Sequence, residues 1–288
     1  MEQIGENVYI EEDYPGVTLG VITLPEGVLM IDAPFRSEDV NSWRGKLGNL
    51  GGGVEKLLVI LDTHVDRMLG IQAMGFTTLC HEESVEILHA RSSTIRPQDL
   101  DSVSDLEIYD QPTNIQWAIP KMTYAKQTWI HWDVDPIKVV HRPGAHISAS
   151  WVQYKANKVI FVGDSVMSNQ PPFIGWSQLD LWIEELNWLR SEAFKGYKIV
   201  AGREGVVNRR AIGKTITFLT KVQKMMQDLS LSGGKMDDIR SVSSHLLKNY
   251  DFEPDLLKCY SNRLVSGLEN YLCRHHDNGK EKTQGVES

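Results

Sequence analysis

The stretch KLLVILDTHVDRMLG, residues 56–70, decides the fold. Its first part, residues 56–61, is a continuous apolar run of the kind that is buried on both faces of a sheet. The run is followed within six residues by four ionisable side chains: Asp62, His64, Asp66 and Arg67. Such groups at the end of a buried strand lie on loops, where a rigid scaffold holds catalytic or binding residues. We therefore predict a strand that leads directly into a functional loop.

Polar residues follow an apolar strand at four further places. Asp32 follows VLMI, His146 follows HRPGA, Asp164 follows VIFVG, and Arg203 with Glu204 follows KIVAG. Taken alone, each has a structural explanation, as a turn residue or a core histidine. Five such places in a regular order indicate one composite site.

Around these positions the chain alternates strands and helices twice and then continues as helix. The predicted strands are residues 8–10, 17–24, 27–31, 56–61, 77–80, 121–124, 128–132, 137–141, 150–154, 158–162 and 198–201. The predicted helices are residues 37–47 with Ser37 as N-cap, 82–90, 177–190, 208–229, 236–249 and 254–273.

Composition is that of an ordinary globular protein, with 41% hydrophobic and 24% charged residues among 288. The net charge of −8 repels phosphate backbones, so we expect no nucleic-acid partner. Three cysteines without a C-x-x-C pair argue against a disulfide framework or a thiolate zinc site. We also expect no signal peptide, no membrane partner and a cytoplasmic location.

The polar positions resemble the metallo-β-lactamase superfamily over residues 5–205. VLMIDAP, with Asp32, is similar to the end of that family's first hairpin. The hallmark H-x-H-x-D-H corresponds to D-T-H-V-D-R, residues 62–67, and the family's following glycine is Gly70. PGAHISAS, residues 143–150, resembles the P-G-H-T-P-G-S element, FVGD matches F-x-G-D, and GREG, residues 202–205, takes the place of G-H-G.

The resemblance implies an α+β fold, the αββα four-layer sandwich of the metallo-β-lactamases, with a C-terminal helical extension. It places the sandwich at residues 1–205 and the extension at 206–277. The polar residues 278–288 are predicted to form a flexible tail.

The resemblance also implies a set of metal ligands. The family's first metal position corresponds to Asp62, His64 and His146, with Asp164, the family's bridging carboxylate, as a fourth ligand. Asp oxygens bind zinc at about the same 2.0–2.2 Å as His nitrogens, so a mixed set is workable. We expect one divalent metal (Zn, Fe or Mn), with no metal at all as the other outcome.

At the second metal position two histidines are replaced by Arg67 and Arg203. Arginine has no lone pair and cannot bind a metal, but its guanidinium could fill the space and pair with Asp66 or Asp164. In a single-metal hydrolase Asp66 would orient the attacking water or act as general base. Arg67 or Arg203 would then stabilise the oxyanion.

Three functions stay open from the sequence. The first is a single-metal hydrolase of a small ester, thioester or lactone. The second is a non-catalytic, metal-free binding protein, and the third is a mononuclear iron oxygenase. We expect a small-molecule substrate, a homodimer contact through the C-terminal helices, and a specificity role for the loop at residues 167–176, which is predicted to overhang the site.

Overall fold

The computed structural model describes residues 1–91, 117–232 and 236–284. Its first sheet contains, in spatial as well as chain order, β1 (Glu2–Gly5), β2 (Val8–Glu11), β3 (Leu19–Thr23), β4 (Gly27–Ile31), β5 (Glu55–Val59), β6 (Thr77–His81) and β7 (Met122–Tyr124). Strands β4 to β7 run parallel to one another, and β1 to β4 are antiparallel.

The second sheet contains β8 (Gln127–Ile130), β9 (Ile137–His141), β10 (Ser150–Tyr154), β11 (Val159–Gly163), β12 (Lys198–Ala201) and β13 (Gly205–Val207), again neighbours in chain order. Only the β11–β12 pair is parallel within this sheet. The parallel pairs β4–β5 and β11–β12 both direct their carboxyl ends into loops that carry the polar residues singled out in the sequence.

Helices flank both sheets: α1 (Ser37–Gly48), α2 (Val65–Met68), α3 (Ile71–Met74), α4 (Glu83–Ala90), α5 (Leu179–Leu189), α6 (Arg209–Ser232), α7 (Met236–Leu247) and α8 (Leu257–Gln284). None of the helices in the described part of the chain is long and apolar enough to cross a membrane.

Three apolar layers hold these elements together. Side chains of both sheets, among them Ile22 and Phe161, pack face to face in the central layer. Trp43 of α1 belongs to a layer beneath the first sheet. Trp182 of α5 and Leu264 of α8 belong to the layer on the second sheet, which also takes in α6 and α7. The predicted αββα sandwich is therefore confirmed, and the C-terminal helices share one core with α5.

Most predicted elements appear within one or two residues of their expected bounds, and β4, β9, β10 and β12 match them fully. Two predictions were wrong. The chain after residue 205 is not all helix, because Gly205–Val207 forms β13 against β12 after a tight turn. The N-cap of α1 is Arg36, in extended conformation, and Ser37 is already helical. The proposed boundary at 205/206 falls inside β13, and the one at 277/278 falls inside α8.

Candidate functional site

The loops after parallel strands bring five charged residues together. Asp32 follows β4 directly, Asp62 and Arg67 follow β5, Asp164 follows β11, and Arg203 follows β12. Since each of these strands ends at the same edge of its sheet, their loops meet where the two sheets face each other. Their side chains are in contact, as the sequence predicted for one composite site.

Arg67 lies at the centre of the cluster and is bound by three carboxylates. Its Nε donates to Oδ2 of Asp32 at 2.8 Å, and Nη1 donates to Oδ1 of Asp62 at 3.2 Å. Nη1 and Nη2 donate in parallel to the two oxygens of Asp164 at 2.9 and 2.5 Å. This is the bidentate arrangement in which arginine binds a carboxylate most strongly. Arg67 has no solvent-exposed surface.

Two backbone features make room for this arrangement. Asp32 has a φ of 60°, which is uncommon for a residue with a side chain, and its Oδ1 accepts from the backbone nitrogen of Leu61 at 2.9 Å. At Gly202, a Cβ atom would collide with Nη2 of Arg67 and lie 2.9 Å from Oδ1 of Asp164. Only glycine at position 202 therefore allows the guanidinium to approach Asp164.

Arg203 adds a second guanidinium to the same carboxylates. Its Nε lies 3.1 and 3.2 Å from the oxygens of Asp164, and Nη1 donates to Oδ2 of Asp66 at 2.7 Å. Its guanidinium carbon lies 4.6 Å from the centre of the Phe173 ring. Arg203 therefore pairs with Asp66 and Asp164, a pairing that the sequence had suggested for a guanidinium at this position.

Burial and arginine act in opposite directions on these carboxyl groups. Burial raises the pKa of Asp164, but Arg203 and Arg67 outweigh it and hold the pKa well below its usual range. Burial likewise raises the pKa of Asp66, but Arg203 outweighs it and holds the pKa well below its usual range. For Asp32 burial prevails over the single contact with Arg67 and raises the pKa to about 7.

His64 and His146 form the other half of the site. Nδ1 of His146 lies 3.1 Å from the backbone nitrogen of Ser148, which can only donate, so this ring nitrogen is an acceptor. Burial lowers the pKa of His146 to about 4, so the ring is neutral at pH 7 and Nε2 carries its hydrogen. Nε2 lies 3.4 Å from Oγ1 of Thr63.

The ring of His64 is oriented in the same way. Its Nδ1 lies 3.0 Å from Nη2 of Arg203 and 3.4 Å from the backbone nitrogen of Asp66, both of which are donors. Oδ2 of Asp66 is also 3.3 Å from Nδ1, but it is bound at 2.7 Å by Arg203. These two donors make Nδ1 the acceptor, so Nε2 carries the hydrogen of the ring. Nε2 is buried and has no hydrogen-bond partner among the described residues.

Both histidines line a narrow pocket with a largely apolar wall. Its volume is about 20 Å³, roughly the space that one water molecule needs. The lining combines the four predicted ligand residues with apolar groups and one further cation: Asp62, His64, Val65, Arg91, Ala145, His146, Asp164, Phe173, Gly175 and Trp176. The predicted wall loop, residues 167–176, thus supplies two aromatic rings.

Helix α8 holds this aromatic wall in place. Arg263, which has no exposed surface, donates to Oε1 of Gln170 at 2.7 Å and to the carbonyl of Pro171 at 3.0 Å. Its guanidinium carbon lies 4.1 Å from the centre of the Phe173 ring. One end of the wall is fixed further by Arg274, which donates to the carbonyl of Ser177 at 3.0 Å. Neither arginine was predicted from the sequence, because nothing near them in the chain points to a site.

The residues present do not fit a metal of the kind that the family resemblance implies. Nε2 of each histidine carries a hydrogen in this arrangement, and Oδ1 of Asp62 already accepts from Arg67 and from the backbone of His64. In the described ranges no three His, Cys, Asp or Glu side chains are placed to hold a metal ion. The assignment of metal ligands to Asp62, His64, His146 and Asp164 stays a prediction that these contacts do not support.

The three predicted catalytic residues lie behind the pocket rather than on its surface. Asp66 and Arg67 have no exposed surface, and the side chain of Arg203 is 1% exposed. None of the three is among the residues that line the pocket. A group that activates water or stabilises an oxyanion must reach the reacting atoms. Their placement favours a structural role.

Comparisons with known proteins agree with this architecture. No family model and no curated protein matches the sequence. A metallo-β-lactamase from Pontibacter korlensis superposes with a TM-score of 0.54 at 17% identity, covering 76% of this chain and 97% of its own. The chain has the metallo-β-lactamase fold. The stereoselective inverting sec-alkylsulfatase Pisa1 from Pseudomonas sp. gives a TM-score of 0.62 at 11% identity.

The alkylsulfatase match differs from the β-lactamase match in extent. It covers 94% of this chain, so it reaches beyond the sandwich into the helices after β13. The chain spans about half the length of the alkylsulfatase, 49%. At these identities the likeness shows the fold, and fold alone does not determine reaction type.

Proposed function

We propose that this chain is a metal-independent binding protein for a small neutral molecule that has an apolar body and an oxygen acceptor. The observation that carries the proposal is the pairing of Arg67 and Arg203 with Asp164 and Asp66, beside a pocket lined by two histidines. Guanidinium groups neutralise the carboxylates that a metal would otherwise bind. The pocket is left with hydrogen-bond donors and aromatic surface.

The lining defines the class of ligand. Nε2 of His64 is a buried donor without a partner in the described chain, and a carbonyl or ether oxygen would satisfy it. Phe173, Trp176 and Val65 offer apolar contact. The pocket lining holds charges of both signs, Asp62 and Asp164 beside Arg91, so we expect a neutral ligand. The small free volume restricts the ligand to a few heavy atoms unless the wall moves.

Metal analysis of a rebuilt motif tests the first part of the proposal. The protein is purified without a metal-binding tag, and bound Zn, Fe and Mn are measured by mass spectrometry. We expect less than about 0.1 equivalent in the wild type. The triple variant Asp62→His, Arg67→His, Arg203→His restores the family's histidines and is the matched positive control. One equivalent or more in the wild type would contradict the proposal.

A single-metal hydrolase remains the second candidate, because all four predicted ligands line one pocket. The two candidates can be separated with one small probe, the neutral lactone γ-butyrolactone, followed by ligand-observed NMR. A binding protein gives saturation transfer to an unchanged lactone, and a hydrolase opens the ring. The same measurement on Trp176→Ala shows whether the signal comes from this pocket. Absence of both binding and turnover would contradict the proposed ligand class.

A further inference from the structure

A second concavity lies on the face formed by the end of α5, the start of α6 and the segment after α7. Its volume is about 520 Å³, far more than that of the pocket beside His64. Four cationic side chains line it: Arg190, Arg209, Arg210 and Lys214. The remaining lining is neutral, and no residue is shared with the pocket beside His64. We call this concavity the basic groove.

The charge of the basic groove is opposite to that of the whole chain. The protein carries a net charge of −8, yet no Asp or Glu lines the groove. None of the four cations forms an ion pair within the described ranges. An acidic side chain of the adjoining concavity, Glu204, already accepts from Ser168 and Asn169. No carboxylate of the groove itself offsets the repulsion between the four cations, and the adjoining concavity, which Arg210 and Lys214 also line, contributes one, Glu204.

Helix geometry concentrates this charge. Arg209 and Gly213 are four residues apart on α6, as are Arg210 and Lys214, so each pair forms one row along the helix, and both rows line the groove. Gly213 forms open floor between them, because a Cβ there would meet only Nη1 of Arg190, at 4.0 Å. Arg190 comes from the end of α5 and faces this floor. The cations thus come from α6 and from the residue directly after α5, and they surround one space.

We propose that the basic groove binds a small molecule that carries two or more phosphate groups. Several unpaired cations around a concave space favour a multivalent anion over a single charge, since each phosphate can contact a different cation. The positive end of the 24-residue helix α6 adds to the potential at Arg209 and Arg210. Tyr250 and Phe218 offer an apolar surface beside the charges for the rest of the molecule.

Calorimetric titration with inorganic tripolyphosphate tests the proposal. The wild type is expected to bind one equivalent, more tightly than it binds inorganic phosphate. Lys214→Glu should weaken binding at least about tenfold, because the change replaces an attraction with a repulsion at the groove. Lys224→Glu is the matched control, as it makes the same change at an exposed position of the same helix outside the groove. Its affinity should change by less than about twofold.

Arg190→Glu distinguishes a groove from a helix terminus. If α5 and α6 bind the anion together, this variant should also lose at least about tenfold in affinity, although α6 is unchanged. Circular dichroism on each variant checks that it is folded. No binding by the wild type in 20 mM salt would overturn the proposal. So would equal losses in the Lys214 and Lys224 variants, an unaffected Arg190 variant, or equally tight binding of inorganic phosphate.

Discussion

On one side of the candidate site, Arg67 and Arg203 contact Asp164 and Asp66 with almost no surface left to solvent. On the other side, His64 and His146 line a pocket whose wall is made by aromatic rings. We refer to these as the ionic half and the pocket half. Both derive from positions that the family resemblance assigns to metal ligands, yet they have become chemically different.

The difference shows what an arginine does when it replaces a metal ligand. A guanidinium supplies one positive charge with fixed, planar donors, and its carboxylate partners no longer have lone pairs directed at an ion. The ionic half is therefore best understood as part of the framework. The pocket half needs no metal to offer donors, because the Nδ1 atoms of both histidines accept from the protein and leave Nε2–H groups.

Removing the central guanidinium should have the largest effect on stability. Arg67→Met leaves Asp32, Asp62 and Asp164 buried without their shared partner, and we expect a loss of about 3–5 kcal/mol in the free energy of unfolding. Urea denaturation followed by circular dichroism measures it. Arg67→Lys is the control, since it keeps the charge but cannot bind Asp164 in the bidentate way, and it should lose less. A loss below about 1 kcal/mol in the methionine variant would mean that the ionic half is not framework.

The pKa of the buried carboxyl group of Glu185 is shifted in the opposite direction to that of Asp164. Glu185 is 4% exposed and accepts from the backbone nitrogen of Gly144 at 3.1 Å, and burial raises its pKa to about 7 despite Arg142 nearby. Because the folded state binds this proton more tightly than the unfolded state, stability falls as the pH rises from about 4.5 to about 7.

Glu185→Gln should remove that pH dependence while keeping an oxygen for Gly144. We expect the variant to be more stable than the wild type by about 2–3 kcal/mol at pH 8 and equal to it near pH 4.5. Urea denaturation of both proteins across this range gives the difference. A constant difference at all pH values would show that Glu185 does not titrate with a raised pKa.

The pocket half should tolerate truncation better than the ionic half. Trp176 is partly exposed, so Trp176→Ala should cost about 1–2 kcal/mol. Its effect should fall mainly on binding, and the saturation-transfer signal of γ-butyrolactone should disappear. If this variant is as unstable as Arg67→Met, the pocket half contributes as much to stability as the ionic half, which contradicts the difference described above.

Chelation should have the smallest effect. Dialysis against EDTA should leave the midpoint of thermal unfolding within about 1 °C of its starting value, because no bound ion would be removed from the native state. The triple histidine variant, loaded with zinc, provides the control in which EDTA lowers the midpoint. A fall of about 5 °C or more in the wild type would point to a metal that the contacts of the site do not suggest.

The sequence was sufficient for the sandwich and for the grouping of the site residues. Continuous apolar runs mark β4 and β5, and polar residues directly after strands mark the sheet edge. Arginines at two positions where the family has histidines also indicated the ion pairs with Asp66 and Asp164. An arginine side chain can only donate hydrogen bonds, so it pairs with carboxylates and cannot bind a metal.

Other features depend on tertiary packing, which local sequence patterns do not predict. β13 has only three residues and exists because a turn returns it to β12. The roles of the ring nitrogens in His64 and His146 depend on donors that the fold places beside them. Helical periodicity in α8 could indicate a buried face, but not that Arg263 on that face would reach Pro171.

Because Arg263 of α8 supports the pocket wall, the wall can be fixed in place only after α8 has been synthesised on the ribosome. Gln170 and Pro171 are synthesised long before Arg263, and at about 5–20 residues per second the intervening chain takes roughly 5–20 s to appear. Both sheets are complete by Val207, so the sandwich can form during that interval. The pocket wall would therefore gain its contacts with Arg263 last, and we expect it to lack a fixed position until α8 has been synthesised.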